Sequence, residues 1–395
     1  MGGVLGGVFG AILAPLLLMP DVEYALLLTA ALLVPGRPGA VEPPTLSRIL
    51  AGIAFFGAVG VAVTLLGEPG WGALITCGTA TALLLRRLDA SRPAVTLVVA
   101  IGLGIFGTAV RPADTIAQER NFFGTLRVSR GDGVHRLVHG RTVHGVQLTT
   151  PDQLETPTTY YARQGPIGDV FRTLMIPVAD ARVAALGLGV GTIACYSRPG
   201  EEWDLFEINP AVVRIATDPR LFAFVPQCTP QARIIIGDGR RALQKLPPAS
   251  YDLIVLDAFT SDAIPAHLLT REAFALYIDR LRPGGILAVH ISNRYLELAP
   301  VLAANAHALG ATALIREDNI RHADPADEAR RTPSTWVVLA ASSERLDAFA
   351  RQAGWSPLPS APGFRAWTDD YVSLLPVIRA FAFLSSSADP ARITR

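Results

Sequence analysis

A turn built from Gly187, Leu188, Gly189, Val190, Gly191 and Thr192 follows directly on the apolar run 182–186. Glycines at the end of a strand allow a tight reversal into a helix and let a ligand approach the main chain. Glu207 stands 20 residues after Gly187, at the end of a second predicted strand, where a carboxylate can accept both hydroxyls of a ribose. Gly237, Asp238 and Gly239 close a third predicted strand and set another carboxylate where an adenine amino group could be read. Glycine loop, Glu207 and Asp238 on three successive strand ends predict a nucleoside site at the carboxyl edge of a sheet. A dinucleotide site is the competitor. Its fingerprint needs a glycine at position 192, and Thr192 stands there.

The elements that must position these residues follow from the pattern of apolar runs. Strands are predicted at 182–186, 204–207, 232–236, 253–257 and 285–291, with later ones at 313–315 and 335–339. Helical patterns fall between them, notably over 270–281 and 296–308. Such alternation predicts a doubly wound, mostly parallel sheet. Ahead of it, 123–128, 135–138 and 143–148 read as a small antiparallel β element broken by Gly-Asp-Gly and His-Gly.

The first 110 residues differ in kind. Five apolar stretches (2–19, 24–34, 50–67, 72–85 and 94–110) occupy them. A run of ~18–20 apolar residues rising ~1.5 Å each spans a hydrocarbon core of ~30 Å, which the first, third and fifth approach. A cleaved signal peptide is disfavoured at 2–19, because no Lys or Arg precedes the apolar run. Basic residues fall on both sides of the fifth stretch, so the positive-inside rule casts no vote on orientation. The net charge of +1 gives no nucleic-acid footprint. Cys77, Cys195 and Cys228 lack metal-ligand spacing, suggest no disulfide framework and fit a reducing compartment.

The fourth predicted strand runs into Asp257-Ala258-Phe259-Thr260-Ser261-Asp262. With this stretch, "FEINP", "GDGR", "YDLIVLDAFTSDAIPAHLLT" and "LRPGGILAVHISNRY", the sequence resembles the spermidine synthase family over roughly 121–338, and in particular its bacterial membrane-fused members. The resemblance implies an S-adenosylmethionine-type sulfonium, intact or decarboxylated, as substrate with no further cofactor and no metal. It gives Glu207 the ribose and Asp238 the adenine, supported by Gly187, Gly189, Val190, Gly191 and Gly239. Asp257 would orient and deprotonate an attacking amine, with Asp262 as second acid and Tyr160 or Tyr161 assisting. Gln147 would take the family's nucleoside-contacting position. His267 and His290 read as helix-start and strand-packing residues.

Two departures stand out. Val190 replaces the acid that aminopropyltransferases carry in the glycine loop, and Ala162-Arg163 replaces the end of the Tyr-His-Glu run.

The implied architecture is an α-helical transmembrane domain (1–112), a small β element and linker (113–165), and an α/β Rossmann-like domain of class I methyltransferase or spermidine synthase type (166–345). A C-terminal extension (346–395) completes it. The expected placement is the bacterial inner membrane, with the lipid bilayer as a partner, a cytosolic catalytic domain and room for a homodimer. The expected activity is transfer from the sulfonium to a polyamine with release of 5′-methylthioadenosine. Alternatives are cyclisation of S-adenosylmethionine to 5′-methylthioadenosine and homoserine lactone, methyl transfer, and a non-catalytic nucleoside sensor.

Overall fold

The computed structural model describes residues 114–140, 142–175, 180–258, 265–320, 329–351 and 354–379. Contacts divide the chain into two compact units, 1–115 with 120–124 and 116–119 with 125–395. Every element that follows Thr125 belongs to the second.

Four strands form the first sheet, in the order β1 (Thr115–Asn121), β2 (Gly124–Gly131), β3 (Val134–His139) and β4 (Thr142–Leu148). The last three were predicted, and β1 was not, because its sequence TIAQERN has too little apolar character to mark a strand. Leu126, Val128, Leu137 and Val146 alternate inward and are buried, as the period of two requires.

The main sheet has eight strands in the order β12-β10-β11-β9-β8-β5-β6-β7. Its centre is β5 (Arg182–Leu186), parallel to β6 (Glu202–Glu207) on one side and β8 (Tyr251–Leu256) on the other. Further out, β7 (Arg233–Ile236) runs parallel to β6, and β9 (Leu281–His290) parallel to β8. Strand β11 (Ser334–Ala340) then pairs antiparallel with both β9 and β10 (Thr312–Asp318). Two reversals restore the original direction, so β10 runs with the parallel strands and β11 lies reversed between β9 and β10. The two-residue β12 (Ser356–Pro357) covers the edge of β10. This mixed order is that of the class I methyltransferase fold, the Rossmann-like arrangement expected from the strand–helix alternation.

Both faces of this sheet are covered. Val183 and Ala185 of β5, with Leu253 and Val255 of β8, point into one apolar cluster. Ala184, Leu186, Ile254 and Leu256 point into the other. Strands buried on both sides read as continuous apolar runs rather than alternating ones, and they account for much of the described part's hydrophobicity. The helices α1 (Pro210–Thr217), α2 (Gly239–Gln244), α3 (Arg271–Arg280), α4 (Ala299–Leu309) and α5 (Ser343–Ala350) pack on these faces. Side-chain caps start three of them: Asn209 accepts from the Ala211 N–H, Asp238 from Arg241 and Thr270 from Ala273.

The expected transmembrane helical domain requires correction. Its five apolar stretches lie outside the described residues, and among the described residues no helix is long and apolar enough to cross a membrane. The longest of them, α4, has 11 residues and so spans roughly 16 Å, about half a hydrocarbon core. The fold class therefore rests on the Rossmann-like domain and the small β element alone. Nothing among the described residues supports the inner-membrane placement, and a bilayer partner is not shown.

The cysteine reading is also corrected. Cys195 and Cys228 form a disulfide, with Cα atoms 4.8 Å apart across 33 residues of sequence. The helical turn after the glycine loop packs on the segment 224–228, and only that packing brings the two together. Cys77 lies outside the described residues.

Candidate active site

Chain order reverses beside β5, since β6 and β7 lie to one side and β8 and β9 to the other. That arrangement opens a crevice at the carboxyl ends of β5 and β8. Main-chain bonds tie the strand ends together there. Gly187 N–H donates to the Phe206 carbonyl, Asp257 N–H to Leu186 and Gly237 N–H to Glu207, each at 2.9 Å. Gly187 has φ +99°, and a Cβ at this position would run into the Asp257 carbonyl. The glycine is therefore required twice, for its backbone conformation and for the close approach of the loop to the acid.

On the β6–β7 side, Glu207 is buried. One carboxylate oxygen accepts from the Leu188 N–H of the glycine loop at 3.1 Å, and the other from Asn209 at 2.8 Å. Burial pushes this carboxyl up from its ordinary value, against the opposing pull of these backbone bonds. Each oxygen keeps a second lone pair, the capacity that two ribose hydroxyls would use. Asp238 is half-buried and caps α2, which Gly239 opens, while its other oxygen lies 3.2 Å from His267 Nε2. Two large apolar side chains stand exposed beside these acids, Ile208 at 45% and Ile236 at 56%. No motif in the sequence singles out either residue. Their exposure at the open edge offers an apolar platform next to two acceptors, which suits a flat purine.

On the β8–β9 side, Asp257 is only 7% exposed at its side chain. Its Oδ2 accepts from the Tyr161 hydroxyl at 2.5 Å, and its Oδ1 lies 2.7 Å from His290 Nδ1. Burial alone would raise this carboxyl, but His290, Tyr161 and the nearby His144 outweigh it and hold Asp257 below the usual carboxylate range. The same burial, with the Asp257 charge adding to it, pushes the Tyr160 and Tyr161 phenols well above theirs. Tyr160 also bonds to the Asp257 side chain, and its ring stacks on His290 at 4.4 Å, which in turn stacks on Trp336 at 4.8 Å. His290 thus contacts the central acid rather than serving only as strand packing. The visible signal was its place at the end of β9, the neighbour of β8 in the sheet.

The structure does not gather every expected residue. Gln147 is buried with its amide engaged at both ends, accepting from Ala223 N–H at 3.0 Å and donating to the Leu154 carbonyl at 2.9 Å. It lines a cavity of about 370 Å³ bordered by Arg130, His135 and Leu221, apart from the crevice. Val190 is buried against Gly145 of β4, where any Cβ would collide with the valine side chain, so position 190 faces the small β sheet. Gly189 and Gly191 continue the loop, passing the His144 carbonyl and Val225. Asp262 lies outside the described residues.

No family model matches the chain. It is 34% identical over 114 residues to a polyamine aminopropyltransferase of Vibrio vulnificus (strain CMCP6), covering 28% of this chain and 37% of that protein. It is 30% identical over 175 residues to an N-terminal histidine N-methyltransferase of Emericella nidulans, covering 42% of this chain and 30% of that protein. A solved structure of a probable spermidine synthase from Corynebacterium glutamicum ATCC 13032 aligns with 67% of this chain and 99% of its own, at a TM-score of 0.49 and 19% identity. The chain spans about a third of the length of the curated relatives it matches. Several of the curated matches are spermidine synthases or polyamine aminopropyltransferases, and they point to that family.

Proposed function

We propose that this chain is a transferase of the aminopropyltransferase type, which breaks a carbon–sulfur bond of an S-adenosylmethionine-type sulfonium and releases 5′-methylthioadenosine. The observation that carries the reading is one crevice with two unlike ends. The open strand edge is flanked by Glu207, Asp238, Ile208 and Ile236, and a buried carboxylate, Asp257, lies beyond Gly187. The amine lone pair forms the new carbon–nitrogen bond while the carbon–sulfur pair withdraws onto sulfur. The leaving thioether is neutral and needs no proton. Asp257 draws in the ammonium form of the acceptor and takes the proton that the nitrogen must lose, and Tyr161 holds the carboxylate during that exchange.

Position 190 supplies no acid to the crevice: a valine packed on Gly145 stands there, so nothing at this position pairs with the amine of a decarboxylated sulfonium or repels the carboxylate of an intact one. Both sulfoniums are therefore substrates in this reading, with putrescine or spermidine as the acceptor tested first. Purified protein would be incubated with each sulfonium, with and without polyamine, and the nucleoside product identified. 5′-Methylthioadenosine supports the reading, and S-adenosylhomocysteine would replace it with methyl transfer. Homoserine lactone formed without polyamine would replace it with cyclisation, and no turnover of either sulfonium would leave a binding protein.

A further inference from the structure

The contacts of Asp257 continue inward. His290 is 5% exposed at its side chain, and its Nε2 lies 2.7 Å from Ser292 Oγ. That oxygen also accepts the Thr335 N–H at 2.8 Å. An oxygen already accepting a backbone proton has its own proton to give, and His290 Nε2 lies in reach to receive it. The imidazole proton then sits on Nδ1, 2.7 Å from Asp257 Oδ1. Tyr160 and Trp336 clamp the ring, each at an interplanar angle of 23°. The imidazole can neither rotate nor readily change tautomer.

We infer that His290 is a positioning residue of the site: Ser292 fixes its tautomer, and its Nδ1–H holds the Asp257 carboxylate ionised with its remaining lone pairs turned to the crevice. The inference deepens the proposed function, since it rests on Asp257 being the acid that meets the nucleophile. Among the described residues, the titratable groups facing Asp257 are Tyr160 and Tyr161 from the turn 159–161, His144 from β4 and His290 from β9. Of these, His290 and Tyr161 bond directly to the carboxylate, and Tyr160 adds a further side-chain bond to it.

The test is a pH titration of the full chain carrying ¹³C-carboxyl aspartate, with Asp257→Asn assigning the Asp257 resonance. His290→Phe keeps a ring between Tyr160 and Trp336 but removes the donor. His290→Asn loses the stack but can place an amide N–H where Nδ1–H stood. A donor role predicts that the Asp257 midpoint rises by about one to two pH units in His290→Phe, the scale of one charge-assisted hydrogen bond. It stays near wild type in His290→Asn. An unmoved midpoint in His290→Phe, or an equal rise in both variants, overturns the inference. A second readout is turnover, where His290→Phe lowers kcat and moves the acid limb of the rate profile to higher pH, with KM for the sulfonium unchanged. If wild-type protein turns over no sulfonium, the proposed function fails while the titration still decides the role of His290.

Discussion

Two buried carboxylates end neighbouring parts of the same sheet, and they are held by opposite means. Glu207 is gripped by main-chain N–H groups, those of Leu188 and Asn209, both close to the glycine loop or to itself in sequence. Asp257 is gripped by the side chains of Tyr161, 96 residues before it, and His290, 33 residues after it. The two carboxyls are shifted in opposite directions in consequence. Burial raises Glu207 despite its backbone bonds, whereas His290 and Tyr161 overcome the burial of Asp257 and lower it. Main-chain donors come with the motif and suffice to orient an acceptor. Keeping a dry carboxylate ionised takes charge-assisted side-chain donors.

The comparison breaks most sharply at Asp257. Asp257→Asn should lower the rate of 5′-methylthioadenosine release by ~10²–10⁴ with little change in nucleoside affinity, read by single-turnover kinetics beside calorimetry. Equal losses in both would make the two ends one binding site.

Glu207→Ala should do the reverse. Two buried N–H groups and a pair of ligand hydroxyls lose their acceptor, so 5′-methylthioadenosine binding should weaken by ~1–3 kcal/mol in calorimetry. Unchanged affinity would remove Glu207 from the site.

Asp238→Ala tests the partly exposed acid and should matter less. Loss of the α2 cap costs about 1 kcal/mol of stability in urea unfolding. Nucleoside affinity should fall less than for Glu207→Ala, because water can still reach the vacated position.

The smallest effect is in pH dependence, and the two acids have opposite signs. Asp257, with its folded value depressed, contributes stability that is fully present above about pH 4 and is lost as pH falls through that folded value. Glu207, with its folded value raised, binds its proton more readily in the folded state, so its contribution weakens as pH rises through the unfolded value towards the folded one. Urea unfolding from about pH 3 to 7 should show an acid loss in wild type that flattens in Asp257→Asn. A steeper acid loss in that variant would refute the assigned sign.

The sequence by itself determined the succession of strands and helices along the chain, the glycine loop, and the places of Glu207, Asp238 and Asp257 on successive strand ends. Those features obey local rules: strand periodicity, the conformational needs of a strand-to-helix turn, and main-chain bonding near the residues concerned. Only the tertiary structure decided which residues meet across the sheet. It reversed β11 beside β9, paired Cys195 with Cys228, turned Val190 into Gly145 and set Gln147 in a separate cavity. It also set His290 against Asp257. A residue type and its spacing say what a side chain can do, but a contact between β8 and β9 depends on sheet order and register, which no local pattern encodes. That is why the strand-end acids were legible beforehand, and why the partner that bonds to Asp257 was not.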